Sequence, residues 1–281
     1  MADMSLPAQR RFAETLRPDA WWLQPLAVFL GFSAFIVYST WAAFHPTFQA
    51  PDGAEKCAYW FGGNGANYLS PFFSPEIFGI SPHAWFPKPS WWPSWLIFSG
   101  AFFVLWGPGG FRLTCYYYRG AYYKAFWADP VNCAVGEPRK TYLGERSFPL
   151  ILQNIHRYFA YLAVIFILVL ARDAWDGLWF VDAATGTKHF GIAVGTVVLI
   201  LNVVFLSCYT FGCHSLRHLV GGFLDAKTKS PGCAKAYNCV SCLNKRHMMW
   251  AWISLFGVGL TDVYVRLCAT GKIQDFVFFK L

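Results

Sequence analysis

A bundle of five transmembrane helices is the fold this sequence predicts, and three observations lead there. Charged residues make up 14% of the 281 positions, against about 25% in an ordinary soluble domain, while 56% are hydrophobic and 20% aromatic. The charges fall so that five windows of roughly 20 mainly apolar residues stay open, the length that crosses a ~30 Å hydrocarbon core. Lys and Arg are divided unevenly among the joining segments, as they are when positive charge stays on one side of a membrane. The aromatic content excludes a disordered chain, and the length excludes a small disulfide scaffold. A net charge of +8 without a dense basic stretch excludes a nucleic-acid binder.

The windows lie near 22–45, 91–112, 150–171, 190–214 and 247–268. Pro149 suits the opening of the third, because its missing N–H would have had no partner inside the helix. The fifth carries Asp262 and Arg266 in its outer half, four residues apart and so on one face. Segments 1–21, 112–149 and 215–246 hold three, six and six Lys or Arg; segments 46–90, 172–189 and 263–281 hold two, two and three. The N-terminus is therefore expected in the cytoplasm and the C-terminus outside. Tryptophans at 21, 22, 91, 92, 95, 175 and 179 fall mostly at window ends, where an indole buries its ring and keeps its N–H wet. Residues 1–20 lack the apolar core and small-residue site of a cleavable signal peptide. With no repeat and no low-complexity tract, residues 1–281 form one transmembrane domain. The outer loop 46–90 is rich in Pro, Gly and aromatics, a composition that predicts an ordered cap or a packing surface for another subunit.

Cysteine and histidine are concentrated at one depth. Of nine cysteines, Cys115, Cys133, Cys213, Cys233, Cys239 and Cys242 map to the cytoplasmic side and Cys208 lies inside the fourth window; Cys57 and Cys268 map outside, the reverse of a disulfide framework. His156, His214, His218 and His247 also map to cytoplasmic helix ends. Thiolates and imidazoles hold iron, zinc and iron–sulfur clusters, and in an antiparallel bundle each helix end can supply one. Cys115, His156, Cys213, His214 and His247 are the candidate metal ligands. A cysteine can equally be a small apolar filler, whereas a histidine inside a span is costlier and more often functional. His214 and His218, four residues apart with Arg217 between them, would equally bind an anionic lipid or a subunit. Cys239-x-x-Cys242 with Cys233 and His247 has metal-like spacing, but the second pair of a zinc site is missing. Small residues Ala160 and Ala163 above His156, and Ser254, Gly257 and Thr261 above His247 and Trp250, allow close helix approach.

The segments RLTCYYYRGAYYKAFWADP at 112–130, QNIHRYFAY at 153–161, CHSLRHLVGG at 213–222 and LNKRHMMWAWISLFGVGLTDVYVRL at 243–267 resemble the membrane-anchor subunit of succinate dehydrogenase and fumarate reductase and, more narrowly, are similar to the actinobacterial, mycobacterial-type single-chain anchor. The resemblance covers roughly residues 91–270. It implies a subunit that is not catalytic alone, in a bacterial plasma membrane. Its partners would be a flavoprotein subunit that oxidises succinate, an iron–sulfur subunit, membrane lipid and an extra small membrane subunit. Electrons would pass to a quinone, menaquinone by this resemblance, near the cytoplasmic face. Many single-chain anchors hold two haems between histidines of four helices. Here the first helix has no interior histidine and the second ends in Cys115, so two bis-histidine haems lack ligands. Two cysteines with two histidines match a Rieske-type [2Fe–2S] centre, for which Cys115, His156, Cys213 and His247 are the expected set, with His214, His218, Cys239 or Cys242 as substitutes. One haem b between His156 and His214 or His218 is the alternative. A transporter or a scaffold with structural zinc is the reading from another class, although Asn202 is the clearest mid-membrane polar residue and transporter-like repeats are missing.

A quinone site needs an apolar slot and donors for two carbonyl oxygens, and Tyr117, Tyr118, Arg119, Arg157, His218 and Trp250 combine those properties on the cytoplasmic side. The plainer role for such residues is interface anchoring. Asp262 and Tyr264 are candidates for a distal quinone or a proton path, with an Asp262–Arg266 pair as the simpler expectation.

Overall fold

The computed structural model describes residues 11–138, 147–148, 150–182, 184–221 and 231–281; Pro149 lies outside them. Among the described residues, four helices are long and apolar enough to cross a membrane: α1 (Leu23–Phe44), α5 (His156–Asp176, entered through a 3-10 turn over Leu150–Ile155), α6 (Val194–Phe211) and α9 (His247–Ala269). Each falls within a few residues of a predicted window.

The window at 91–112 does not form one helix. Residues 91–99 are turns and irregular chain, followed by α2 (Ala101–Val104) and α3 (Trp106–Thr114). The break at Leu105 has a cause in Pro108, which has no N–H for the Val104 carbonyl and whose ring crowds it. Cys115 is extended (φ −64°, ψ 132°), ends α3 and precedes α4 (Tyr116–Phe126). Of the five expected spans, four are long helices among the described residues, and the second window holds a short broken helix. Two further helices, α7 (His214–Gly221) and α8 (Pro231–Lys245), were not foreseen.

Short strands were not foreseen either. β1 (Thr47–Gln49) pairs antiparallel with β2 (Glu55–Cys57), and β3 (Trp60–Phe61) with β4 (Tyr68–Leu69). β6 (Lys188–Ala193) is the centre of a three-stranded antiparallel sheet between β5 (Trp179–Val181) and β7 (Val277–Lys280).

The chain divides into two compact units, residues 1–36 with 112–156 and residues 37–111 with 157–281. In the first, the extended N-terminal segment pairs with the stretch after α4: the Ala13 amide donates to the Gly136 carbonyl and the Gly136 amide to that of Glu14. Phe29 and Phe32 of α1 pack on Phe126 and Tyr118 of α4. In the second, α6 packs along α9, where Gly257 brings the backbone within reach of the Phe205 ring. A Cβ on Gly110 would stand 2.2 Å from the Phe159 ring, so α3 meets α5 only because position 110 has none.

The second unit also contains the ordered cap. Residues 59–81 bury Tyr59, Tyr68, Phe72 and Phe73, which satisfies the expectation from their aromatic composition. Four buried carboxylates hold this segment. Glu76 accepts from the Tyr59 hydroxyl (2.7 Å), from the amides of Ile80 (3.0 Å) and Ser81 (3.2 Å), and from the Ser81 hydroxyl. Tyr68, Ser70 and Ser74 donate in turn to Asp275, Asp262 and Asp173. The stretch from Tyr68 to Ser74 is thus fastened to α5, to α9 and to the segment before β7. Burial and the adjacent acids push the Tyr59 and Tyr68 hydroxyls well above the usual phenol range, so both remain donors.

Candidate functional site

Cys115 and His156 belong to the first unit. Cys115 is 2% exposed at the break between α3 and α4, and His156 is 7% exposed in the first turn of α5. Thr114 Oγ1 lies 2.8 Å from His156 Nδ1. Either group can be the donor, and the contact holds the orientation of the ring, as second-layer partners of ligating histidines do. Thr114 had not been singled out from the sequence; its position beside Cys115 was the available signal.

Cys213 and His247 belong to the second unit. Cys213 is 2% exposed in the link between α6 and α7. His247 opens α9 and stacks on Tyr209, with ring centroids 5.0 Å apart and planes 17° apart. Each unit thus holds one buried cysteine and one histidine on a packed partner. His214 differs from both: it is exposed on α7, with its Nε2 2.9 Å from His218 Nε2. Partial burial and the neighbouring His218 and Arg217 lower the His214 pKa from its ordinary value. Among the described residues, neither unit gathers three or more His, Cys, Asp or Glu side chains as a metal site. Cys239 and Cys242 are exposed on α8, and Cys233 Sγ contacts the Val220 carbonyl at 3.4 Å.

The quinone candidates are spread out. In the first unit a cavity of about 320 Å³ lies between the start of α1 and α4, walled by Gln24, Pro25, Val28, Tyr116, Tyr117 and Lys124. Tyr117 is the member of the predicted set that lines it. Tyr118 is buried and its hydroxyl accepts from Arg112 Nη1 at 2.6 Å. Arg119 is 7% exposed, donates to Gln153 Oε1 at 2.5 Å and lies over the Tyr116 ring. In the second unit Arg157 and His218 are exposed and Trp250 is half-buried. The sequence reading missed Gln24, Tyr116 and Lys124, which only the approach of α1 to α4 brings to one cavity.

At the far end of α9, Asp262 and Arg266 form the expected pair, Nε to Oδ2 2.7 Å, at 0% and 7% exposure. Tyr38 also donates to Asp262, at 2.5 Å. Tyr264 instead donates to Asp275 at 2.6 Å, so the two distal candidates serve different carboxylates. A cavity of about 590 Å³ beside them is lined by Tyr38, Trp41, His45, Arg266 and Lys272 among others.

Comparison with known proteins adds an independent line. The model of the family described as actinobacterial succinate dehydrogenase subunit SdhC matches residues 23–271. A chain of the solved Mycobacterium smegmatis Sdh1 complex in the apo form is 42% identical, with 97% of each chain covered and a TM-score of 0.80. No curated protein matches the sequence.

Proposed function

Because the chain belongs to the family of actinobacterial succinate dehydrogenase subunit SdhC, and is the membrane-anchor subunit of a succinate dehydrogenase complex rather than an enzyme alone, we propose that it conducts electrons to quinone through a Rieske-type [2Fe–2S] centre held by Cys115, His156, Cys213 and His247. The observation that carries this reading is the buried His156 imidazole fixed by Thr114 at the start of a span. A buried imidazole in an apolar helix is costly, and one held in a single orientation is prepared for a ligand. The donor chemistry fits: two cysteines and two histidines. Such a centre supplies one-electron relay at a potential raised by imidazole ligation. Thr114 and Tyr209 would orient the two rings. The haem b reading needs His214 or His218 opposite His156, and those rings are exposed and face each other.

The partners in this reading are the flavoprotein and iron–sulfur subunits, with a small membrane subunit and lipid. Quinone, menaquinone by the family resemblance, is the substrate. The cavity at Tyr117 offers it an apolar wall from Pro25 and Val28, with donors on Tyr116, Tyr117, Gln24 and Lys124 for the two oxygens. Arg157, His218 and Trp250 remain candidates on the same cytoplasmic side. Arg119 and Tyr118 brace α4 behind the cavity. The short α2–α3 helix completes a five-pass anchor with its N-terminus in the cytoplasm, as the Lys and Arg distribution requires.

The test is iron, acid-labile sulfide and paramagnetic resonance on the intact complex. A Rieske-type signal without haem, lost in His156→Ala while the subunits still co-purify, is the expected result. An unchanged signal in that variant, or a reducible cytochrome absorption, overturns the assignment. For quinone, Arg157→Leu should depress quinone reduction while succinate oxidation by a soluble acceptor persists.

A further inference from the structure

His214 and His218 lie side by side on α7, a pairing that neither the cluster nor the quinone cavity at Tyr117 uses. These residues form an H-x3-H sequence on α7, which places both rings on one helical face, the spacing by which two helical histidines share a metal ion. Their Nε2 atoms are 2.9 Å apart and both side chains are open to solvent. Two nitrogens at that separation, each ~2.0–2.1 Å from a common ion, subtend about 90° at it. That is the cis angle of a tetragonal or octahedral ion and is tighter than the tetrahedral angle zinc prefers.

The surroundings keep the pair in place. Leu216, between the two histidines on the opposite face, is 7% exposed and anchors α7. Gly221 lets the helix close on α8, where an added Cβ would stand 2.6 Å from the Tyr237 ring. Arg217, whose charge would oppose a cation, is turned toward α8: Nη2 donates to the Tyr237 hydroxyl at 3.0 Å and the guanidinium lies 5.4 Å from that ring's centroid.

We propose that His214 and His218 form a surface site for a divalent transition-metal ion of tetragonal preference, with copper(II) the tightest of the series and water completing the coordination. The site is separate from the Cys115, His156, Cys213 and His247 set and stands whether or not that set holds a cluster.

The experiment uses the intact, chelator-stripped complex free of affinity-tag histidines, titrated with copper(II) alone. Wild type should bind one equivalent per chain that His218→Ala, His218→Gln and His214→Ala each lose, with affinity falling at least about tenfold, since one imidazole no longer benefits from the other's proximity. The resonance of that equivalent should show coupling to two nitrogens. Copper should also shield both histidines of the unaltered complex from diethyl pyrocarbonate, a readout that needs no variant. Equal copper stoichiometry and affinity in wild type and variants, or equal modification of both rings with and without copper, overturns the proposal.

Discussion

Replacing Arg266 by Leu should cost this anchor more than any exposed charge could. Each of the three guanidinium nitrogens donates inside the protein: Nε to Asp262 at 2.7 Å, Nη1 to the His45 carbonyl at 2.6 Å and Nη2 to the Ala42 carbonyl at 2.7 Å. Arg266→Leu leaves the Asp262 carboxylate, at 0% exposure, with only the Tyr38 and Ser70 hydroxyls among these partners, and strips two carbonyls at the end of α1. Removing one member of a buried pair costs about 3–5 kcal/mol. For a chain of this size, ~2 °C per kcal/mol gives a fall of about 6–10 °C in the midpoint of thermal unfolding. The double replacement Asp262→Leu with Arg266→Leu removes the stranded charge and should recover part of that loss. Thermal unfolding of the detergent-solubilised complex, followed by a thiol-reactive dye, measures both. A fall below about 2 °C for Arg266→Leu, or a double variant worse than the sum of the singles, would refute the reasoning.

Gly110→Ala should weaken packing of α3 on α5 by about 1–3 kcal/mol, since its Cβ would lie 2.2 Å from the Phe159 ring, and adding Phe159→Ala should restore much of the thermal midpoint. Ser74→Ala should cost about 1–3 kcal/mol by leaving the buried Asp173 short of a donor, read in the same assay. Burial pushes the Cys57 thiol up to about 11, so its alkylation at pH 8 should accelerate about 100-fold on unfolding. Because the folded pKa is the higher one, the native state holds its proton while the unfolded chain loses it, and stability should fall as pH rises from about 9 to 11. A protease site placed in the exposed turn at Asp52–Gly53 should be cut from outside only; cutting from the cytoplasm would reverse the orientation.

Hydropathy located four spans to within a few residues because a long apolar run leaves a helix as the way to satisfy its backbone in lipid. The same rule failed at 91–112 because it counts apolarity and not helicity. That window contains Pro93, Pro108 and the glycines at 107, 109 and 110, and the chain answers with irregular structure to residue 99 and a break at Leu105. The cap was legible from its aromatics, and Asp262 from the cost of an acid in a span. Its fastening was not. Tyr68, Ser70 and Ser74 are ordinary loop residues, and their partners lie 207, 192 and 99 positions away.

The candidate electron centre shows how a sequence can name donors without naming what prepares them. Cys115 drew notice as a cysteine at a helix end, yet its setting depends on the helix break itself. Because α3 stops at Thr114 and Cys115 turns extended, Thr114 spends its hydroxyl on His156 Nδ1 while the cysteine is buried in the junction. A continuous helix through 114–116 would point these successive side chains in different directions, about 100° apart at 3.6 residues per turn. The interruption is therefore part of the proposed site, and the proposal predicts that Thr114→Val, which keeps the shape and removes the hydrogen bond, should shift the centre's potential or its resonance without unseating α4. If both were unchanged, the Thr114 contact would be packing alone.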